Sequence, residues 1–333
     1  MVCPDFWRPG VKVTQVMAEP LNMVKLPFKV AIFAANPMAV PTINQLLQQQ
    51  HLAGVILAEQ VDPFSHQLAA WLQQMQYPHL RYQSAQADMI TEKLRQWEAD
   101  LAITFSFPHS LPEQSHQATT YGIYQFHPGP MSLYWQIRDL EPYTQLTLQK
   151  VQAAGPDIAA QQNHPIHPMD TLQCLENKVA QQAPMMIGQF IDALRKNQGQ
   201  LELSVQPGAA TAVAFPQESD LYVDWLNMGS EQICALARAG NSQLGGCIIV
   251  IGQTPINLLQ ATAVKHPTYG VKPGTICHTG EPEGVIVATR DGAIRLDILS
   301  NADGFFSGLN FTERFQINAG MDFVAIPVVK KNQ

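Results

Sequence analysis

The sequence predicts an α/β chain in which a doubly wound, mostly parallel, Rossmann-like sheet is followed by a small, OB-like β-barrel. Three observations predict it. Short apolar runs rich in β-formers alternate with amphipathic helical stretches over residues 28–127. The texture changes after residue 217 to many short strands parted by turn residues. At 333 residues the chain is long enough for two separate cores. Strand–helix alternation of this kind demands right-handed crossovers and parallel pairing. Evenly spaced short strands with turn chemistry between them make a small barrel.

The elements follow in order. Residues 28–34 (FKVAIFA) read as a strand buried on both faces. Asn36-Pro37 turns the chain, and Val40, Ile43, Leu46 and Leu47 recur at helical spacing behind Pro41. Residues 54–57 form a second strand, and Leu68, Trp71, Leu72 and Met75 mark a second helix. A short strand at 80–82 precedes a helix carrying Ile90, Leu94 and Trp97. Residues 101–107 and 123–127 are two further buried strands. Strands at 146–151 and 161–167 follow, then a long helical stretch from Leu172 to Leu194 that Pro184 must kink or divide. Beyond a helix at 230–239 come strands at 247–251, 256–264, 274–278, 284–288 and 293–298, and the apolar run 322–329 closes the barrel. The expected division is therefore 1–26 as an extension without a readable pattern, 27–198 as the α/β unit, 199–217 as linker, and 218–333 as the barrel unit.

Composition excludes several function classes. Charged residues make up 14% and apolar ones 46%, which suits a globular chain. The formal charge is −7 with no run of lysines or arginines, so the basic stripe of a nucleic-acid binder is missing. The five cysteines are dispersed without a CxxC pair, as in reduced cytoplasmic proteins. The amino-terminal residues do not read as a signal peptide, and no apolar run approaches the ~20 residues of a membrane span. The expectation is a cytoplasmic protein. The first strand–helix turn, Ala35-Asn36-Pro37, carries no glycine, so a nicotinamide or flavin dinucleotide is not expected. No metal is expected either. His164 and His167 are spaced like a metal pair, but on a proline-bounded strand they would face opposite sides. Trp135 is expected in the core.

In open α/β sheets ligands sit at the carboxyl ends of the strands. Three such ends converge here: Asn36-Pro37, Phe107-Pro108-His109, and His127, which ends the run Gly122-Ile123-Tyr124-Gln125-Phe126-His127. Asp157 follows in the turn Gly155-Pro156-Asp157. An imidazole and a carboxylate reaching one crevice make a proton-handling pair. Taken alone, the same residues also fit a structural histidine and a turn aspartate bonding its own backbone.

The order of parts resembles the folate-dependent formyltransferases over roughly residues 28–329, closest in layout to the members that act on methionyl-tRNA. The matching pieces are Val30-Ala31-Ile32-Phe33-Ala34 with Asn36-Pro37, the strand to His127, Gly155-Pro156-Asp157, and Tyr222-Val223-Asp224-Trp225. Lys272-Pro273-Gly274-Thr275-Ile276 and residues 284–292 match in the barrel. The resemblance implies transfer of a formyl group from formyl-tetrahydrofolate to an amine, without metal or NAD. His127 would be the acid/base and electrostatic residue, Asp157 its partner and Gln125 the amide donor. The folate would lie against Phe105, Phe107, His109, Leu111, Gly155 and Pro156.

The chain departs from the family pattern in three places. Gln125 stands where the family has asparagine. The segment between His127 and the next helix is shortened, so Pro128-Gly129-Pro130-Met131-Ser132 runs straight into Leu133. The basic, glycine-rich insertion of the tRNA-acting members is replaced by the acidic Ala58-Glu59-Gln60-Val61-Asp62-Pro63. Over residues 215–333, 8 lysines and arginines stand against 11 aspartates and glutamates, a balance of −3. The expected acceptor is thus a small-molecule amine rather than tRNA. Formylation of methionyl-tRNA, binding of folate without transfer, and hydrolysis of the formyl group to formate are the alternatives. The oligomeric state is left open.

Overall fold

The computed structural model describes residues 28–324 apart from 59–61, 84–87, 130, 152–156, 198, 200, 202–203 and 206–214. The expectations for residues 1–26, Gly155, Pro156, most of the linker and the end of the chain lie outside the described residues.

In chain order the first part comprises β1 (Val30–Ala34), α1 (Val40–Gln48), β2 (Leu52–Leu57), α2 (Pro63–Gln74), β3 (His79–Arg81), α3 (Asp88–Gln96) and β4 (Leu101–Phe105). It continues with α4 (Glu113–His116), β5 (Ile123–Pro128), α5 (Leu133–Arg138), β6 (Tyr143–Lys150), β7 (Asp157–Pro165), α6 (Leu172–Lys196) and β8 (Ser204–Val205). Its strands form one sheet in the order β3-β2-β1-β4-β5-β6-β7-β8. β1 to β5 pair in parallel. β5 to β8 pair antiparallel. The crossover pattern of the sequence thus holds through His127. Beyond it the strands alternate in direction, β6 and β7 being joined by a short connection and the other two pairs by connections that carry α5 and α6.

Local chemistry explains the elements. β1 and β4 are buried along their whole length, as strands covered on both faces must be. The Asn36 side chain accepts from Met38 N at 3.1 Å, tying down the turn after β1. Asp62 caps α2, accepting from Ser65 N at 3.0 Å, with Pro63 at the first helical position. α6 is assigned as one helix through Pro184 and is not divided there. Pro184 is buried in that helix, and its carbonyl accepts from Gln45 of α1 at 3.1 Å. Packing against α1 offsets the hydrogen bond that proline cannot make.

The second part comprises α7 (Ser230–Gly240), β9 (Cys247–Ile251), β10 (Thr254–Val264), β11 (Ile276–Gly280), β12 (Gly284–Ala288), β13 (Ala293–Asn301), β14 (Gly304–Ser307) and α8 (Gly308–Arg314). Its antiparallel sheet has the order β11-β12-β13-β10-β9, with β14 on β13. Residues 322–324 join its two sides: Phe323 bridges Ile251, and Asp322 bridges Thr275. This is the role expected for the final apolar run. Tyr134 on α5 donates to Asp220 O at 3.0 Å, and one apolar cluster runs from β1 through α6 and α7 to β13. The two sheets are therefore packed against each other through helices. No helix among the described residues is long and apolar enough to cross a membrane.

Beside α6, Lys178 donates to the nearly fully buried Asp170 at 2.6 Å. Burial works to raise the Asp170 carboxyl, but Lys178, the His167 backbone N–H and the Cys174 thiol outweigh it and hold it below the usual carboxylate range. A depressed carboxyl contributes stability above its unfolded value, ~4, and that contribution fades as pH falls through the lower folded value. Asp170→Asn should cost roughly 2–3 kcal/mol at neutral pH, below what breaking a fully buried pair costs because Lys178 is half exposed. It should also make the acid limb of stability shallower. Thermal unfolding across pH 3–7 checks both, and an unchanged acid limb would contradict the assignment.

Candidate active site

β5 runs two residues past the end of β4. Ala34, Phe105 and Phe126 share one row across β1, β4 and β5, and His127 lies one residue beyond it. The next row toward the strand starts is Phe33, Thr104, Gln125 and Gln149. Side chains alternate along a strand, so Gln125 and His127 share one face and Tyr124 and Phe126 the other. Tyr124 packs edge-on against Phe190 of α6 at 4.7 Å between ring centroids, which identifies its face as the α6 side.

His127 is held at both ring nitrogens. Nδ1 lies 2.8 Å from Gly129 O, and Nε2 lies 3.2 Å from Gln149 Oε1. A carbonyl only accepts, so Nδ1 carries the hydrogen. The amide of Gln149 offers either an acceptor or a donor to Nε2, depending on which end is turned toward the ring. His127 can therefore bind or release a proton at Nε2 without losing a partner.

Asp157 is not brought to this group. It stands opposite Lys150, which stands opposite Tyr124, in a row three residues back from His127. The β6–β7 ladder shifts register between Leu148 and Gln149, so Ala160 pairs Leu148 while Ile158 pairs Gln149. In a regular ladder Asp157 would share the face of His127. The one-residue shift sends it to the α6 face instead. Electrostatics agrees: burial first, and Asp157 second, push the Tyr124 phenol up to about 12. The expected His127–Asp157 pair is corrected to His127–Gln149. Asp157 was also expected in a turn, and it is the first residue of β7.

The expected folate contacts divide. Phe105 is fully buried and its carbonyl accepts from Ala35 N, so it is a wall of the strand ends. Phe107 packs on Phe33 at 5.1 Å and on Tyr82 at 5.6 Å, and His109 on Tyr82 at 4.7 Å. That cluster leans over β1 toward β3, away from His127. Within it His109 Nε2 is enclosed with no hydrogen-bond partner among the described residues. Leu111 lines a cavity of about 900 Å³ with Glu113, His116, Tyr121, Tyr124 and Lys150. The cavity lies toward the amino end of β5, and Gln125, His127 and Asp157 are not among its lining residues. Tyr124 and Lys150, which line it, lie on the face of the sheet opposite Gln125 and His127.

Among the described residues no cluster of potential metal ligands is present. His167 accepts from Met169 N at 3.2 Å, and His164 faces Thr144 across the ladder. Trp135 is partly buried against the edge of the core, under the Arg138 guanidinium 4.2 Å away, and the fully buried position beside it belongs to Tyr134. Sequence reasoning missed Gln149. The available signal was the alternation Gln145, Thr147, Gln149 on a strand that must pair with β5.

Fold and site together define a doubly wound sheet with a chemical group at the end of its fifth strand, followed by an antiparallel barrel. Residues 217–308 match the family described as formyl transferase, C-terminal domain. The methionyl-tRNA formyltransferase of Thermotoga maritima is 26% identical over 230 residues, covering 66% of this chain and 71% of that protein. That of Paraburkholderia phymatum is 27% identical over 231 residues, covering 66% and 69%. Among solved structures, a HypX variant from Aquifex aeolicus superposes with a TM-score of 0.57 at 16% identity, covering 89% of this chain. This chain spans about half of HypX, 49%. An N-formyltransferase from Helicobacter canadensis, in complex with folinic acid and dTDP-3-aminofucose, superposes with a TM-score of 0.58 at 14% identity, covering 80% of this chain and 97% of that one. Residues 217–308 thus carry the match to that family, and the chain as a whole is similar to methionyl-tRNA formyltransferases in sequence and to formyltransferases in fold.

The facing of Asp157 is testable. A carboxylate beside Tyr124 disfavours the phenolate, so Asp157→Asn should lower the Tyr124 titration, which 13C-labelled tyrosine rings report with Tyr124→Phe as the assignment control. An unmoved Tyr124 would mean that Asp157 faces elsewhere.

Proposed function

We propose that the chain transfers a formyl group from formyl-tetrahydrofolate to a small-molecule amine at the face shared by Gln125, His127 and Gln149. That shared face is the observation that carries the reading. In the reaction the amine nitrogen forms a bond to the formyl carbon, and negative charge develops on the formyl oxygen. The bond from that carbon to the folate nitrogen then breaks. One proton must pass from the amine to the departing nitrogen, so atoms and charge balance. His127 is suited to carry it at Nε2, because Gln149 can partner the ring in either charge state. The Gln125 amide supplies an N–H to the developing oxyanion, a contribution that typically amounts to about 10²–10³ in rate.

The charge balance of −3 over residues 215–333 supports a small acceptor, since an acidic surface is poorly suited to a phosphate backbone. A second reading, in which the chain binds folate without transferring the formyl group, draws on one observation. Asp157 faces away from His127, which therefore has an amide and no carboxylate at Nε2.

Release of tetrahydrofolate from formyl-tetrahydrofolate, measured with a panel of small amines, separates the readings. The expected result is amine-dependent release that falls about 10²–10⁴-fold in His127→Ala and no more than a fewfold in Asp157→Asn. Folate binding with no release under any amine, in the native chain and in Gln125→Asn alike, would establish the binding-only reading. Formate appearing without amine would establish hydrolysis.

A further inference from the structure

The segment after His127 is short, yet it holds the imidazole. Gly129 supplies the carbonyl that Nδ1 meets at 2.8 Å. Its φ of +73° lies in the left-handed region that favours glycine. A carbonyl in so short a loop points wherever the flanking peptides are pinned. Here one side chain pins both flanks. Gln136 on α5 donates from Nε2 to Pro128 O at 3.0 Å and to Met131 O at 2.8 Å. Both hydrogens of that amide nitrogen are thereby used. Gln136 is 4% exposed, so its bonds are shielded from water and leaving the carbonyls unmet would be costly. Gly129 lies directly under it, since a Cβ there would come within 3.1 Å of Gln136 Nε2.

We infer that Gln136 is a positioning residue for His127: it clamps the loop so that the Gly129 carbonyl selects the Nδ1–H tautomer and leaves Nε2 for chemistry. The inference rests on the reading of His127 as the proton-handling group, and it assigns a chemical purpose to a helix that begins unusually soon after the strand. Glutamine suits the buried position because its amide nitrogen meets two carbonyls without bringing in a charge. A carboxylate of the same shape accepts and would repel both.

The test is long-range 1H–15N spectroscopy of the histidine rings in the full chain, with His127 assigned from His127→Gln. The native chain should show Nδ1–H at His127. Gln136→Met, matched in length and apolar, should convert it to a mixture of tautomers, and Gln136→Glu should do the same. In the transfer assay both should lose about tenfold to a hundredfold in kcat, the scale of an ångström of misplacement, with KM for the donor changed less than twofold. A folded Gln136→Met that keeps the native tautomer overturns the inference, as does a native chain carrying Nε2–H. Should neither substitution fold, Gly129→Ala, which presses on the same contact, must shift the tautomer or the inference fails. The ring spectra decide this whether or not any amine supports turnover, so failure of the transfer reading is seen separately.

Discussion

The parity of a β-ladder governs this site. Residues two apart share a face, and every register shift of one residue exchanges the faces beyond it. The β6–β7 ladder contains one such shift, between Leu148 and Gln149. It turns Asp157 toward Tyr124, while the regular β5–β6 ladder sets Gln149 beside His127. The consequences are electrostatic. An imidazole beside a carboxylate is held as a cation, whereas one beside an amide is free to exist in either state with its hydrogen bond kept. The tyrosine beside the carboxylate, buried as well, is held as the neutral phenol.

Precision at the strand end depends on what stands behind it. β5 is flanked by fully buried β4 on one side and by β6 on the other, so its backbone has little freedom. α5 follows within a few residues and is itself anchored by the buried Tyr134, whose hydroxyl reaches Asp220, and by Leu133 and Ile137. The apolar cluster continues through α7 into the second sheet. The loop that carries Gly129 is thus suspended between two rigid bodies, and Gln136 is the polar link between them. Such an arrangement replaces with one amide what a longer connection would do with many residues.

Much of this was legible from periodicity. Residues 28–34, 101–107 and 123–127 read as buried strands because apolar β-formers run uninterrupted, and the first five strands pair as that pattern requires. The barrel strands were legible from their turns. Asp157 was misplaced because a bulge leaves no mark in a run such as Asp157-Ile158-Ala159-Ala160, where small residues fit either face. Phe107 and His109 were assigned to the right end of β4 but not to the right direction, since Tyr82, which draws them toward β3, comes from a distant segment. Pro184 reads as a breaker, and only the packing of α6 on α1 shows why the helix continues. Gln149 and Gln136 are ordinary polar residues until the ladder and the loop bring them to His127.

The proposed chemistry rests on one strand, with the amide–imidazole–amide face of Gln125, His127 and Gln149 as its centre. A crystal structure of the chain with a non-transferring analogue of formyl-tetrahydrofolate tests that claim most directly. The account predicts the formyl-equivalent carbon about 3–3.5 Å from His127 Nε2 or from a bridging acceptor nitrogen, on the side of Gln125 and Gln149. An analogue seated on the α6 face beside Asp157 and Tyr124, with His127 untouched, would contradict it.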